Sequence, residues 1–289
     1  MPGTLYIVAT PIGNLEDITL RALRILKECD LVAAEDTRHT RKLLSHFDIS
    51  TPLIAYHQHS DAGRTENLVR RLTDDGQSIA LVTDAGTPGV SDPGVELVRA
   101  ATAAGVPVVP LPGASAALCA LVGSGLPPAR FAFEGFLPRT KSSRREKLTA
   151  LARTETRTLI FYEAPGRTAE TLAEMSQAFG PDRPAAVGRE LTKKHEEFVR
   201  GSLAEVAAHF AANPPRGEIT IIVAPPPENP APPLLGAGAS AEPDDVPTLL
   251  RAALASGLSE RDAVRQVSTT HNLSKRDVYA EMLALKSNS

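Results

Sequence analysis

The stretch Leu5-Tyr6-Ile7-Val8-Ala9-Thr10-Pro11-Ile12-Gly13-Asn14-Leu15 decides the fold. Leu5 to Val8 are residues of strand-forming type, and they run straight into a turn of Ala9, Thr10, Pro11, Ile12 and Gly13 ahead of a helical pattern. A buried strand therefore ends in a loop of small residues. In open α/β sheets ligands sit at such carboxyl ends, where backbone N–H groups and helix N-termini are exposed. The spacing is neither GxGxxG nor GxxxxGKS/T, so no dinucleotide or phosphate loop is indicated by motif.

Outward from this stretch the pattern repeats. Asp17 or Thr19 can cap a helix carrying Leu20, Leu23, Ile25 and Leu26, and Leu31 to Ala34 reads as the next strand, ending in the polar run Glu35 to Arg41. Leu53 to Tyr56 and Ile79 to Thr83 are further strands, separated by a helix with Leu68, Val69 and Leu72. Strand and helix alternate, which predicts a mostly parallel sheet. Asp84 to Gly94 then holds three glycines and two prolines in eleven residues. Such a loop brings backbone close to a ligand, because glycine adds no Cβ and proline fixes the path. The strand Val106 to Leu111 also ends in small residues, Pro112 to Ala116.

Gly123 to Pro128 reads as a hinge between an N-terminal α/β domain, 1–123, and a second α/β domain, 124–224. In the second half Phe131 to Phe136, Leu159 to Tyr162, Ala185 to Leu191, Glu197 to Gly201 and Ile219 to Val223 read as strands, and the short connections predict a mixed sheet. Residues 225–247 are rich in Pro, Ala and Gly, with breaks at Pro232 and Pro233, and read as a linker. A helical C-terminal module, 248–289, follows, with Ser259/Asp262 and Ser274/Asp277 at N-cap spacing.

Composition bounds the function. The 289 residues are 42% hydrophobic, enough for real cores, and the net charge of -3 means that contact with nucleic acid must come from local basic patches. Cys29 and Cys119 lie far apart with no metal or redox spacing, and the N-terminus has neither signal-peptide nor transmembrane character. A soluble cytoplasmic protein without a membrane partner is the expectation. The histidines form no ligand motif; His57 and His59 are the nearest to one, and no metal site is expected.

Two polar clusters stand out. Acidic residues at a helix start complement the macrodipole, which accounts for Glu35 and Asp36 but not for the basic residues behind them. Arg38 and Arg41 are three apart, neighbours on a helix face that can hold phosphate. Arg139, Lys141, Arg144, Arg145 and Lys147 form the densest basic cluster, either a solvated face or a phosphate track. Aromatics make up 4% of the chain and Trp is absent, which disfavours base stacking as the main binding mode.

The ordered blocks resemble a known family. Leu5 to Leu15, Ala34 to Thr40, Asp84 to Pro88, Ser91 to Gly94, Pro110 to Gly113, Glu134 to Pro138, Leu159 to Glu163 and Arg189 to Lys193 together are similar to the tetrapyrrole methylase superfamily. These are the class III S-adenosylmethionine-dependent methyltransferases, and within them the chain resembles the branch that 2'-O-methylates a cytidine of 16S rRNA. The resemblance covers about residues 3 to 224 and thins after Pro247. It implies two α/β domains with S-adenosyl-L-methionine folded into the cleft between them, a homodimer, and the small ribosomal subunit as partner. Carried over by position, Pro11, Ala85, Gly86, Thr87, Val90, Ser115 and Ala116 line the methionine and ribose side. Phe161, Tyr162, Gly188, Arg189, Gly217 and Glu218 approach the adenine. Where the superfamily commonly has Gly-Asp-Pro this chain has Gly86-Thr87-Pro88, a hydroxyl in place of a carboxylate.

Backbone-rich loops suit a sulfonium cofactor, and a ribose hydroxyl must lose its proton during or after attack. Asp36 or Glu35 is the expected proton acceptor, with Arg38, Arg41, Arg139, Lys141, Arg144 and Arg145 on RNA phosphates. Two rivals remain at this stage: the same cofactor with a tetrapyrrole or other small acceptor, and a non-catalytic cofactor- or RNA-binding regulator.

Overall fold

The computed structural model describes residues 2–57, 62–227, 246–255, 258–270 and 274–287. His59 and most of the expected linker, including Pro232 and Pro233, lie outside the described residues. Strands β1 (Leu5–Val8), β2 (Leu31–Ala34), β3 (Leu53–Ala55), β4 (Ile79–Val82) and β5 (Val108–Leu111) form one sheet in the order β3-β2-β4-β1-β5, every pair parallel. Strands covered on both faces need unbroken apolar runs, and β2 and β4 are buried at every position. β5 tolerates Pro110 because it is an edge strand.

Helices α1 (Leu20–Glu28), α2 (Thr37–His46), α3 (Ala62–Thr73) and α4 (Val95–Ala103) make the crossovers. One core lies on each face of the sheet: Leu68, Leu72 and Leu97 pack with Leu5 and Ile7, whereas Ile25, Leu26 and Leu44 pack with Val8 and Val32. The connection from β1 leads to β2 on one side and that from β4 leads to β5 on the other, so their carboxyl ends flank a switch point.

The second sheet holds β6 (Phe131–Phe136), β7 (Thr158–Glu163), β8 (Pro184–Arg189), β9 (Glu197–Ser202) and β10 (Ile219–Val223) in the order β6-β7-β10-β8-β9. Only β6 and β7 pair in parallel, so the sheet is mixed as the short connections predict. Helices α6 (Lys141–Thr154), α7 (Thr168–Phe179) and α8 (Leu203–Ala212) bury Leu148, Leu172, Met175 and Phe210 against Phe161 and Ile221. On the opposite face α5 (Ala116–Ser124) buries Ala120 and Leu121 against Ile160, Ala186 and Ile222, and Ile12 of the opening stretch joins this core.

Gly123 to Pro128, read as a hinge, begins on a firmly held helix end. Arg200 Nε donates to the Gly123 and Ser124 carbonyls at 3.2 Å each, and a Cβ at Gly123 would stand 2.4 Å from Phe198 Cζ. Both sheets belong to one compact unit, Met1–Pro226. The other unit, Pro227–Ser289, contains α9 (Val246–Ala255), α10 (Glu260–Thr270) and α11 (Lys275–Ser287) around Leu250, Ala263, Val267, Val278 and Met282. Ser259 caps α10 through its hydroxyl, which accepts from Asp262 N at 3.3 Å. Among the described residues no helix is long and apolar enough to cross a membrane.

Candidate active site

Three strand-end loops are tied into one wall. The backbones of Thr10 and Gly86 exchange two hydrogen bonds, of 2.9 and 3.0 Å, and the Thr10 hydroxyl donates to the Thr83 carbonyl at 3.0 Å. Gly86 holds φ +87°, where a side-chain-bearing residue is strained. The Thr87 hydroxyl, standing where the superfamily commonly has a carboxylate, donates to the Ala114 carbonyl at 3.1 Å and joins the third loop. Ser115 caps α5 by accepting from Leu118 N, which presents that helix's N-terminus to the same place.

From the other side Asn14 N donates to Thr192 Oγ1 at 3.1 Å, and the Lys193 side chain packs over Gly13. Glu190 and Thr192 both adopt positive φ, 49° and 67°. Strain of this kind persists only where surroundings hold it. Here Glu190 Oε1 accepts from Glu218 N at 3.0 Å and from Lys193 Nζ at 2.8 Å.

Between these walls lies a cavity of about 440 Å³. Its floor is Ile12, Ala85, Gly86 and Ala116, its far side Tyr162 and the stretch Gly217–Thr220, and its rim the half-exposed Phe136. A bulge in β6 between Phe133 and Gly135 turns Phe136 onto Tyr162, ring centroids 5.7 Å apart. Size, apolar lining and a few polar groups are those of a small-molecule site.

Five carboxylates border this cavity: Glu35, Asp84 and Asp92 from the first sheet's loops, and Glu163 and Glu218 from the second sheet. Glu35 Oε2 accepts from the Thr83 hydroxyl at 2.6 Å, and Asp84 Oδ1 accepts from Asp36 N at 3.2 Å. Burial raises Asp84, and the charge of Glu35 adds to the rise. Burial, then Glu35, pushes Asp92 up to about 6. An acidic pocket of this kind favours a cation and contains a carboxyl that titrates near neutrality.

The residues expected to line the site divide. Ala85, Gly86, Thr87, Val90, Ser115, Ala116, Tyr162, Gly217 and Glu218 border the cavity, as does Glu35. Pro11 borders a neighbouring cavity instead. Phe161 does not reach either: strand side chains alternate, so with Tyr162 facing the cavity Phe161 points into the core, fully buried. Gly188 and Arg189 are also set back, because β10 is inserted between β7 and β8 and its start, not the end of β8, forms the wall. Arg189 is engaged with Glu197 at 2.8 Å.

Asp36 is corrected as a proton acceptor. It is the N-cap of α2, accepting from Arg38 N at 2.8 Å, and the Arg38 guanidinium holds its carboxyl well below the usual carboxylate range. Asp84 and Asp92 were missed as candidates; two carboxylates within one Gly/Pro-rich strand-end loop were the available signal. Arg144 is corrected as an RNA contact. It is 2% exposed, with Nε 2.5 Å from Glu174 Oε2 and Nη2 3.0 Å from Glu170 Oε2. Arg145 is half-exposed and pairs with Glu174 at 3.0 Å, and Lys141 pairs with Glu170 at 3.4 Å. Arg41 and Arg139 are exposed, as is Arg38 beyond its pairing with Asp36.

The chain matches the family model of tetrapyrrole (corrin/porphyrin) methylases over residues 4–207. It is similar to a ribosomal RNA small subunit methyltransferase I from Synechocystis sp., 46% identical over 292 residues that cover 98% of this chain and 99% of that one. A protein of the same name from Halalkalibacterium halodurans is 48% identical over 96% of this chain and 93% of its own. Among solved structures, uroporphyrin-III C-methyltransferase from Thermus thermophilus complexed with S-adenosylhomocysteine superposes with a TM-score of 0.53 at 24% identity, covering 77% of this chain and 97% of that one. A cobalt precorrin-4 methyltransferase gives 0.57 at 19% identity, over 76% and 94%. These two likenesses establish the fold.

Proposed function

This chain belongs to the tetrapyrrole methylase family, and on that premise we propose that it is an S-adenosylmethionine-dependent methyltransferase of small-subunit ribosomal RNA, with a cytidine ribose 2'-oxygen as acceptor. The observation that carries the reading is similarity to rRNA methyltransferases along nearly the whole chain, joined to a cavity built from the family's strand-end loops. The likeness to tetrapyrrole enzymes is far more distant, at 24% and 19% identity. A small-molecule acceptor is therefore the weaker reading.

The residues fit the cofactor. Backbone without a side chain at Gly86, an apolar floor, and a carboxylate-lined border suit a ligand that combines an adenine with a positive charge. When bound, S-adenosylmethionine supplies a methyl group on a positively charged sulfur. Tyr162 and Ile219 would hold its apolar parts, and the α5 N-terminus borders the same cavity. Held there, it would give up that methyl to the acceptor oxygen with loss of a neutral thioether, and Asp92, which borders the cavity, would take the hydroxyl proton. Burial, with the charge of Glu35 adding to it, raises Asp92 to about 6. Positioning the two reactants in line supplies most of the rate.

A homodimer and a cytoplasmic location complete the proposal. The outer face of α5 leaves Leu118 and Val122 at 49% and 74% exposure, an apolar surface for a second copy, and both cysteines are free. The test is incubation with methyl-labelled cofactor and small subunits from cells that lack the modification, beside calorimetry with S-adenosylhomocysteine. Transfer to rRNA is expected. Tight binding with no transfer to any acceptor would replace the enzyme by a regulator.

A further inference from the structure

A second cavity, of about 610 Å³, adjoins the first and shares Ile12, Asp84, Ala85 and Glu218 with it. Nothing in the reaction as described so far uses it. Its outer wall is one face of α2: His39, Lys42 and His46 are spaced three and four apart, so their side chains stack along a single stripe. All three are exposed. Lys42 has no ion-pair partner among the described residues, in contrast to Lys193 across the cavity, whose Nζ is engaged by Glu190 and Glu218.

Deeper on the same wall sits Thr40, 2% exposed, whose hydroxyl has no hydrogen-bond partner. A helical threonine ordinarily returns its hydroxyl to a carbonyl one turn back, and here only the Thr40 N–H bonds to the Asp36 carbonyl. Buried polar groups are nearly always satisfied, so an orphan on a cavity wall marks a place where a ligand completes the set. The floor, with Ile12, Leu15 and Leu43, is apolar. His39 and Asp84 both line this cavity, and Asp84 also lines the first, where the methyl acceptor must stand.

We propose that this second cavity receives the acceptor nucleotide of the RNA: Lys42 and His46 hold its phosphate, His39 and Thr40 hydrogen-bond its sugar and base, and the ribose hydroxyl faces the first cavity, which Asp92 borders. The inference rests on the methyltransferase reading and adds to it the place where the RNA enters. One lysine flanked by two imidazoles over an apolar floor matches a nucleotide, with its anionic linkage and flat base, better than a diffuse backbone track would.

Three variants test it: Lys42→Ala/His46→Ala, Lys42→Ala, and the isosteric Thr40→Val. The double variant is expected to raise KM for unmodified small subunits about tenfold, and to lessen its salt dependence, with S-adenosylhomocysteine affinity unchanged. Thr40→Val is expected to lower kcat/KM about three- to tenfold while leaving the melting temperature equal or higher, since the hydroxyl has no partner to lose. An unchanged KM in the double variant, with wild type active, overturns the inference. If wild type transfers no methyl to rRNA, the functional reading fails by itself. The cavity is then judged by titrating a mixed-sequence ribotrinucleotide against the imidazole resonances of His39 and His46: shifts that vanish in Lys42→Ala support it, and no shifts overturn it.

Discussion

Asp92 and Asp36 are both aspartates beside the same crevice, and their surroundings drive them in opposite directions. Arg38 holds Asp36 as a permanent carboxylate that serves α2, whereas burial and Glu35 lift Asp92 to about 6. The methyl-transfer rate of wild type should therefore rise with pH through about 6 as Asp92 loses its proton. Asp92→Asn should lower kcat about a hundredfold or more and abolish that limb; a limb that persists in the variant would move the role to Glu35 or Asp84. The same substitution has a stability signature of opposite sign. The folded state favours the protonated Asp92, so ionisation costs stability as pH rises from 3.8 to about 6. Asp92→Asn should then be more stable than wild type at pH 7.5 by about 1–2 kcal/mol and show no such gain at pH 3.5, by thermal or denaturant melts. Residue type and loop position already disclosed Glu35 in the sequence, but charge environment is a property of the fold, which is why Asp36 was favoured there and Asp92 overlooked.

At the scale of elements, pairing decides what a charge is for. The run Arg139 to Lys147 reads in sequence as one basic patch, yet helical geometry turns Arg144 inward onto Glu174 of α7 while Arg139 stays in water. Burial pushes Glu174 up, but hydrogen bonding and charge from Arg144 outweigh it and hold the carboxyl below its ordinary 4.5. The pair's contribution is thus present above that pH and is lost as pH falls through the lowered value. Arg144→Met should destabilise the protein by about 3–5 kcal/mol, and adding Glu174→Leu should restore most of it. RNA salt dependence in the double variant should match wild type; a flattened slope would return Arg144 to the RNA surface. Strand-end loops were far more legible: alternation and small residues located those after β1, β4 and β5, and the structure ties them together through Gly86 and Thr87. Gly86→Ala finds room, with its nearest contact 3.5 Å away, but must hold φ +87°. It should cost about 1–2 kcal/mol and weaken S-adenosylhomocysteine binding by calorimetry.

For the whole molecule, apolar runs and their spacing disclosed two α/β layers and a helical C-terminal module. They did not disclose the strand orders, since β10, the last strand in sequence, reaches its place between β7 and β8 only by crossing back past β9. That return also displaced Gly188 and Arg189 from the expected wall. Every group assigned to the two cavities lies within Met1–Pro226, and a chain ending at Pro226 should keep wild-type affinity for S-adenosylhomocysteine. Loss of binding on that truncation would extend the site beyond the two sheets. The central claim is that the joined loops carry out methyl transfer to a ribose of small-subunit rRNA. Mass spectrometry of nucleosides from unmodified small subunits, treated with the protein and methyl-labelled cofactor, tests it most directly. The account predicts label on the 2'-oxygen of a cytidine, formed far more slowly with Asp92→Asn; unlabelled RNA, or label on a base alone, would contradict it.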